Sequence, residues 1–173
     1  MRLQKEPQSA EELLRDDHEA LDKLLKVLLA ALDKGETSTT LARLDLFWAR
    51  LAMHIRAEHL HLFPAILRPE QLAQTDRLPL ETSAADAVEQ LRRDHDFFMH
   101  ELAASIKIMR TPLKTKDSDA DIHLLDEVRA RIAAVSKRLE SHNEVEEEFI
   151  YGFIELRVGL EKNLEKHHAD QHA

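Results

Sequence analysis

The chain is predicted to be all-α, an antiparallel up-down-up-down four-helix bundle with a metal site in the core. Four long stretches carry apolar residues at alternating steps of three and four, which is the period of an amphipathic helix. Proline and small polar residues separate those stretches, and no alternating β-branched run occurs between them. Three glycines and five prolines in 173 residues leave little room for hairpins.

Ser9, followed three residues later by Glu12, forms a capping box, and the helix it opens is expected to run to Lys34-Gly35, where glycine supplies a C-cap. Its seam is Leu14, His18, Leu21, Leu25, Leu28 and Leu32. Thr37 to Thr40 can cap a second helix that ends near Leu67, ahead of Pro69. The seam here is Leu44, Phe47, Leu51, His54, Glu58, His61 and Ala65. A polar linker containing Pro79 leads to Thr82-Ser83, from which a third helix reaches about Arg110, before Pro112. Val88, Leu91, His95, Phe98, Leu102 and Met109 line it, with Ser105 between. The fourth helix opens near Ser118 and carries Leu125, Val128, Ile132, Val135, Leu139, His142, Glu146, Phe149, Phe153, Leu156 and Leu160. The domain is placed at residues 9–164, and 165–173 read as a polar C-terminal tail.

Composition narrows the chemistry. With 24 Lys+Arg against 33 Asp+Glu the net charge is −9, which argues against a nucleic-acid surface. The longest apolar run, Val27 to Leu32, is far below the roughly 20 residues that span a bilayer. No signal-peptide pattern opens the sequence, so no membrane association is expected and the cytoplasm is the expected compartment. Eleven histidines stand beside no cysteine. Disulfides, thiolate nucleophiles and cysteine-held metals are therefore excluded, and any metal must be held by imidazole and carboxylate.

Every seam is broken by a histidine near its middle. Counted from the helix ends, His18, His54 and His95 agree in level within a turn, whereas His142 lies about 24 residues from Ser118. The fourth helix must therefore overhang, start later or bend. His54 and Glu58, like His142 and Glu146, are four residues apart and project from one face. With His18 and His95 the layer holds four imidazoles and two carboxylates, enough for two cations that share both carboxylates as bridges. Such donors suit Fe, Mn, Zn, Cu or Ni. Six buried titratable groups without partners would each cost several kcal/mol, against a net stability of about 5 to 15 kcal/mol. A self-satisfied His/Glu network is the metal-free alternative.

The set His18, His54-Ile-Arg-Ala-Glu58 with Leu62-Phe63-Pro64 following, His95, and His142-Asn-Glu-Val-Glu146 resembles the hemerythrin-like HHE cation-binding domain. The likeness covers the chain from about Ser9 to Leu164. It implies a four-helix bundle around a non-haem di-iron centre, two Fe ions with Zn, Mn or Ni as substitutes, and the six named residues as ligands. Oxygen-carrying members have a second histidine four residues after the third-helix ligand, where this chain has Met99. They also place an aspartate where Glu147 stands; Glu146, nearer the His142 direction, is the better bridge in a regular helix. Relatives that repair iron centres carry a cysteine-bearing segment ahead of the bundle, which eight residues without cysteine do not supply.

The remaining histidines divide by position. His61, seven residues after His54, faces inward about 10 Å along the axis and is a candidate to line or support the site. His59, His100 and His123 lie off the seams and read as surface residues, as do Glu144, Glu147 and Glu148 apart from an outer hydrogen-bonding role for one of them. His167, His168 and His172 fall in the tail; Tyr151 receives no role. Leu13, Leu24 and Leu29 either widen the core stripe or form the face of a homodimer. The expected function is binding or sensing of O2, NO or peroxide, or iron handling. A di-iron oxidase, peroxidase or repair factor and a metal-free helical interaction module are the alternatives.

Overall fold

A computed structural model describes the backbone of residues 10–67, 80–111 and 119–170, and side chains within 16–64, 66–67, 85–111 and 123–148. The elements are α1 (Ala10–Asp33), α2 (Thr37–Ala57), a π-helical turn (Glu58–Leu62), α3 (Phe63–Ile66), α4 (Leu80–Met109) and α5 (Asp119–Asp170). The π turn and α3 continue the rod begun by α2. Four helical rods pack together, and no strand occurs among the described residues.

Neighbouring rods run antiparallel around a closed ring: α1 against α2, α2 against α4, α4 against α5, and α5 against α1. The first reversal is set by Gly35, which adopts a left-handed φ of 68° while the Glu36 N–H donates to the Ala31 carbonyl at 3.1 Å. Glycine takes that conformation without a Cβ clash. Glu36 rather than a threonine precedes α2, and it makes no side-chain cap bond. Arg110 pairs with Asp45 between α4 and α2, and Arg131 with Glu101 between α5 and α4. Arg129 donates to the Leu32 carbonyl at 3.0 Å and so completes the end of α1 from α5.

That last contact settles the level of α5. Arg129 and Leu32 are nearly equidistant in residues from His142 and His18, so the bundle begins near residue 129. Val128 is fully buried, whereas Leu124 and Leu125 are half-buried and His123, Asp126 and Glu127 exposed. The mismatch noted in the sequence is an overhang of the first two turns of α5. At its other end α5 continues as helix through residue 165, where a tail was expected, to Asp170.

Between Gly35 and the histidine layer the seams meet as predicted. Leu21, Leu28, Leu32, Leu44, Phe47, Phe98, Leu102, Val128, Ile132 and Val135 are completely buried in one cluster. Leu24 and Leu29 pack against that cluster, which favours core widening over a dimer face; Leu13 lies outside the described side chains, as do Leu14, Ala65 and the seam from Phe149 to Leu160. A smaller cluster of Phe63, Ile66, Val88 and Leu91 closes the far side of the layer. No helix among the described residues is long and apolar enough to cross a membrane.

Candidate metal centre

The four seam histidines and both seam glutamates come together. His18, His54, His95, His142, Glu58 and Glu146 are all buried, and they form two trios: His18 with His54 and Glu146, and Glu58 with His95 and His142. Within each trio one potential ligand atom per residue lies within 4.8 Å of the others, so each group could hold a metal ion. The trios are joined through their carboxylates. Glu146 Oε2 is 3.1 Å from His18 Nε2, 3.9 Å from His54 Nε2 and 3.8 Å from His142 Nε2. Glu58 lies 2.6 Å from His54 Nε2 through one oxygen and 2.9 Å from His95 Nε2 through the other.

The His18–Glu146 contact is a hydrogen bond, but most of the close approaches here are not. His54 Nε2, both Glu58 oxygens and Glu146 Oε1 are sealed from solvent and make no hydrogen bond. Buried polar atoms are normally satisfied, and leaving several unsatisfied in one layer is expensive. His95 Nε2 and His142 Nε2 face each other at 3.3 Å. Two nitrogens each about 2.1 Å from one cation, at tetrahedral to octahedral angles, are roughly 3.0–3.4 Å apart. The donor set and its spacing thus fit a metal pair.

Each inward histidine has a polar side chain facing its outer nitrogen, hydrogen-bonded at His18, His54 and His95 and only within ion-pair distance at His142. Nδ1 of His18 is 3.2 Å from Glu147, Nδ1 of His54 is 2.8 Å from Asp17, Nδ1 of His95 is 2.9 Å from His59 Nε2, and Nδ1 of His142 is 3.5 Å from Asp94. Asp17 is held in turn by Arg50, and Asp94 by Arg138 at 2.6 Å and Gln90 at 2.9 Å. Outer partners of this kind fix the ring orientation and tautomer of a metal-binding histidine. Phe63 stacks on the His95 ring at 5.8 Å, and Phe98 meets His142 edge-on at 5.4 Å.

Electrostatics follow from that crowding. Burial opposes charge on His54, but the surrounding carboxylates of Asp17, Glu146 and Glu58 outweigh it and push the imidazole up to about 11. His18 is raised in the same way by Glu146 and Glu147 against its burial. Burial also opposes charge on Glu58 and Glu146, yet the neighbouring imidazoles hold both below the usual carboxylate range. Burial, then the proximity of His95, pushes His142 down. Free of metal, the layer holds protons between imidazole and carboxylate, and a cation would displace them.

Two outer histidines depart from expectation. His61 is exposed and does not line the layer, whereas His59, expected on the surface, reaches His95. The π turn accounts for both. Pro64 has no N–H and its ring would clash with the Leu60 carbonyl in a regular helix; instead Phe63 N–H reaches back to the Glu58 carbonyl, five residues away. The wider turn lowers the rotation per residue, so residues beyond Glu58 no longer follow the seam. Burial, His95 and Arg92 together push His59 down, which favours its neutral form. His100 and His123 are exposed, as expected, and so are Glu144 and Glu148. His167, His168, His172 and Tyr151 lie outside the described side chains.

The sequence reading missed Asp17, Asp94, Arg50 and Arg138, and gave Glu147 only a general outer role. A signal was present: an aspartate immediately precedes both His18 and His95, and an arginine stands four residues before both His54 and His142. Comparison of the chain with family models, curated proteins and solved structures gives no match in any of the three.

Proposed function

We propose that this chain is a hemerythrin-like protein whose bundle core holds two non-haem iron ions and binds or senses O2, NO or peroxide. One observation carries the reading: four imidazole Nε2 atoms and two carboxylates converge in a sealed layer where several of them have no hydrogen-bonding partner. Each trio is two histidines and one carboxylate, the donor set associated with non-haem iron that keeps coordination positions open. Glu58 and Glu146 each stand between the trios, which supports a bridged pair rather than two separate ions. An iron pair in such a site supplies open positions for a small ligand together with reversible electron exchange. The protein's own contribution is to orient the imidazoles through Asp17, Asp94, Glu147 and His59 and to exclude bulk water with Phe63 and Phe98.

Protein produced in iron-supplemented medium should carry about two irons per chain and show the near-ultraviolet charge-transfer absorption of a coupled ferric pair. Folded protein that takes up no iron would overturn the proposal. Competition among Fe, Zn, Mn and Ni fixes the metal. Titration with O2, NO or peroxide should saturate at a fixed stoichiometry, whereas sustained turnover would move the assignment to an oxidase or peroxidase.

A further inference from the structure

The metal layer is built twice. Asp17-His18 on α1 corresponds to Asp94-His95 on α4, and Arg50, His54 and Glu58 correspond to Arg138, His142 and Glu146 on α5, each four residues apart. The correspondence holds in space. Arg50 and His54 meet Asp17, and Arg138 and His142 meet Asp94. Glu58 reaches the histidine of α4 as Glu146 reaches that of α1.

This two-fold fails at one pair of residues. After Glu146 comes Glu147, whose carboxylate faces His18 Nδ1 at 3.2 Å; after Glu58 comes His59, whose imidazole faces His95 Nδ1 at 2.9 Å. In the first trio both histidines are therefore backed by carboxylates, Asp17 and Glu147. In the second, His142 has Asp94 at a longer 3.5 Å, with that carboxylate also bonded to Arg138 and Gln90, and His95 has an imidazole in place of a carboxylate. A carboxylate accepting the Nδ1 proton makes Nε2 a stronger donor and brings negative charge toward the cation. An imidazole acceptor orients the ring but adds no charge. Outer partners of this kind alter metal affinity about 10- to 100-fold.

We infer that the two positions are unequal by construction: His18, His54 and Glu146 form the tighter position, filled first, and Glu58, His95 and His142 the weaker, exchangeable one, with His59 setting the difference. The inference rests on the reading that the layer holds two ions. His59 and the Glu147 side chain are both open to solvent, so the two positions differ in the chemistry of the outer partner rather than in its exposure. His59 acts here as a positioning residue through His95.

Cobalt(II) is a suitable probe, followed by its ligand-field absorption against a competing chelator. A second bound cation weakens the first by repulsion, so the intrinsic affinities must be read one position at a time. H95A leaves the first trio and H18A the second. The H95A protein should bind one cobalt about 10- to 100-fold more tightly than H18A. Adding H59E to H18A should tighten binding by about tenfold or more, while adding it to H95A should change little. In the otherwise native chain, H59E alters an exposed side chain and should bring the two cobalt steps closer together, an arm that does not depend on either alanine variant folding. Equal affinities in the single-position proteins, or H59E acting equally on both, would overturn the inference while leaving the two-ion reading intact. Native protein that takes up no cobalt and no iron would overturn both.

Discussion

Between Gly35 and the histidine layer, leucine, valine, isoleucine and phenylalanine from all four rods fill the axis, and Leu28, Phe47, Leu102 and Ile132 are sealed completely. One or two turns further on, the same seams bring six titratable residues to the same depth, and several of their polar atoms crowd together without making a hydrogen bond. The two regions share a helix period and a degree of burial. They differ in composition: the apolar region is closed by the chain's own side chains, and the layer gathers two His/Glu trios that could each hold a cation. A seam specifies the depth of a residue, and the residue type then determines whether that depth is stabilising.

Metal should separate the two regions most sharply. At free metal about a thousand times Kd, each occupied position adds about 4 kcal/mol to stability. Chemical denaturation with and without a chelator should show a shift of that order or more, and H142A should lose the share of one position while keeping that of the other. An unchanged midpoint after chelation would place the layer with the metal-free helical modules. Next in size is the apolar region itself. Phe98 is completely buried, so F98A should cost about 3 to 5 kcal/mol in metal-free protein as well as loaded protein. A loss seen only in loaded protein would mean that the apolar region is not self-sufficient.

Raising the pH should weaken the metal-free layer gradually. His54 is raised from 6.5 to about 11, so its contribution is fully present below 6.5 and is lost as pH climbs through 11. The slope is at most about 1.4 kcal/mol per pH unit for one proton. Metal affinity should rise over the same range, because the ion replaces that proton, and proton release on binding can be measured directly. Glu58 and Glu146 act in the opposite sense: their contribution is present above about 4.5 and is lost on acidification. Metal-free stability that is flat between pH 6.5 and 9 would show that His54 is not held as an imidazolium. The smallest effect belongs to the surface. R110A removes an exposed pair with Asp45 and should change stability by less than about 1 kcal/mol, with metal binding untouched.

The all-α architecture and all six inward residues were legible because helical periodicity is local: His54 and Glu58 share a face whatever surrounds them. Their outer partners were not legible on the same terms. Asp17 sits beside His18 but serves His54 on α2, and Asp94 sits beside His95 but serves His142 on α5. Those pairings depend on how neighbouring rods are rotated, and a single helix does not carry that information. The exchange of His61 for His59 could have been anticipated, since Pro64 forbids a regular turn at Leu60. The level of α5 depended on one arginine reaching across to the Leu32 carbonyl.

The membership of the two trios has a consequence for assembly. The helical hairpin of α1 and α2 gives two histidines to one trio but only a carboxylate to the other, and the hairpin of α4 and α5 does the reverse. Neither hairpin can complete an ion's ligand set by itself. An ion bound there would tie distant parts of the chain into a loop that the unfolded chain otherwise samples freely, in the manner of a removable cross-link. On the proposed two-ion reading, loading would be completed only after the hairpins have docked, so occupancy would report a finished fold, and separating the hairpins would require giving up the ions.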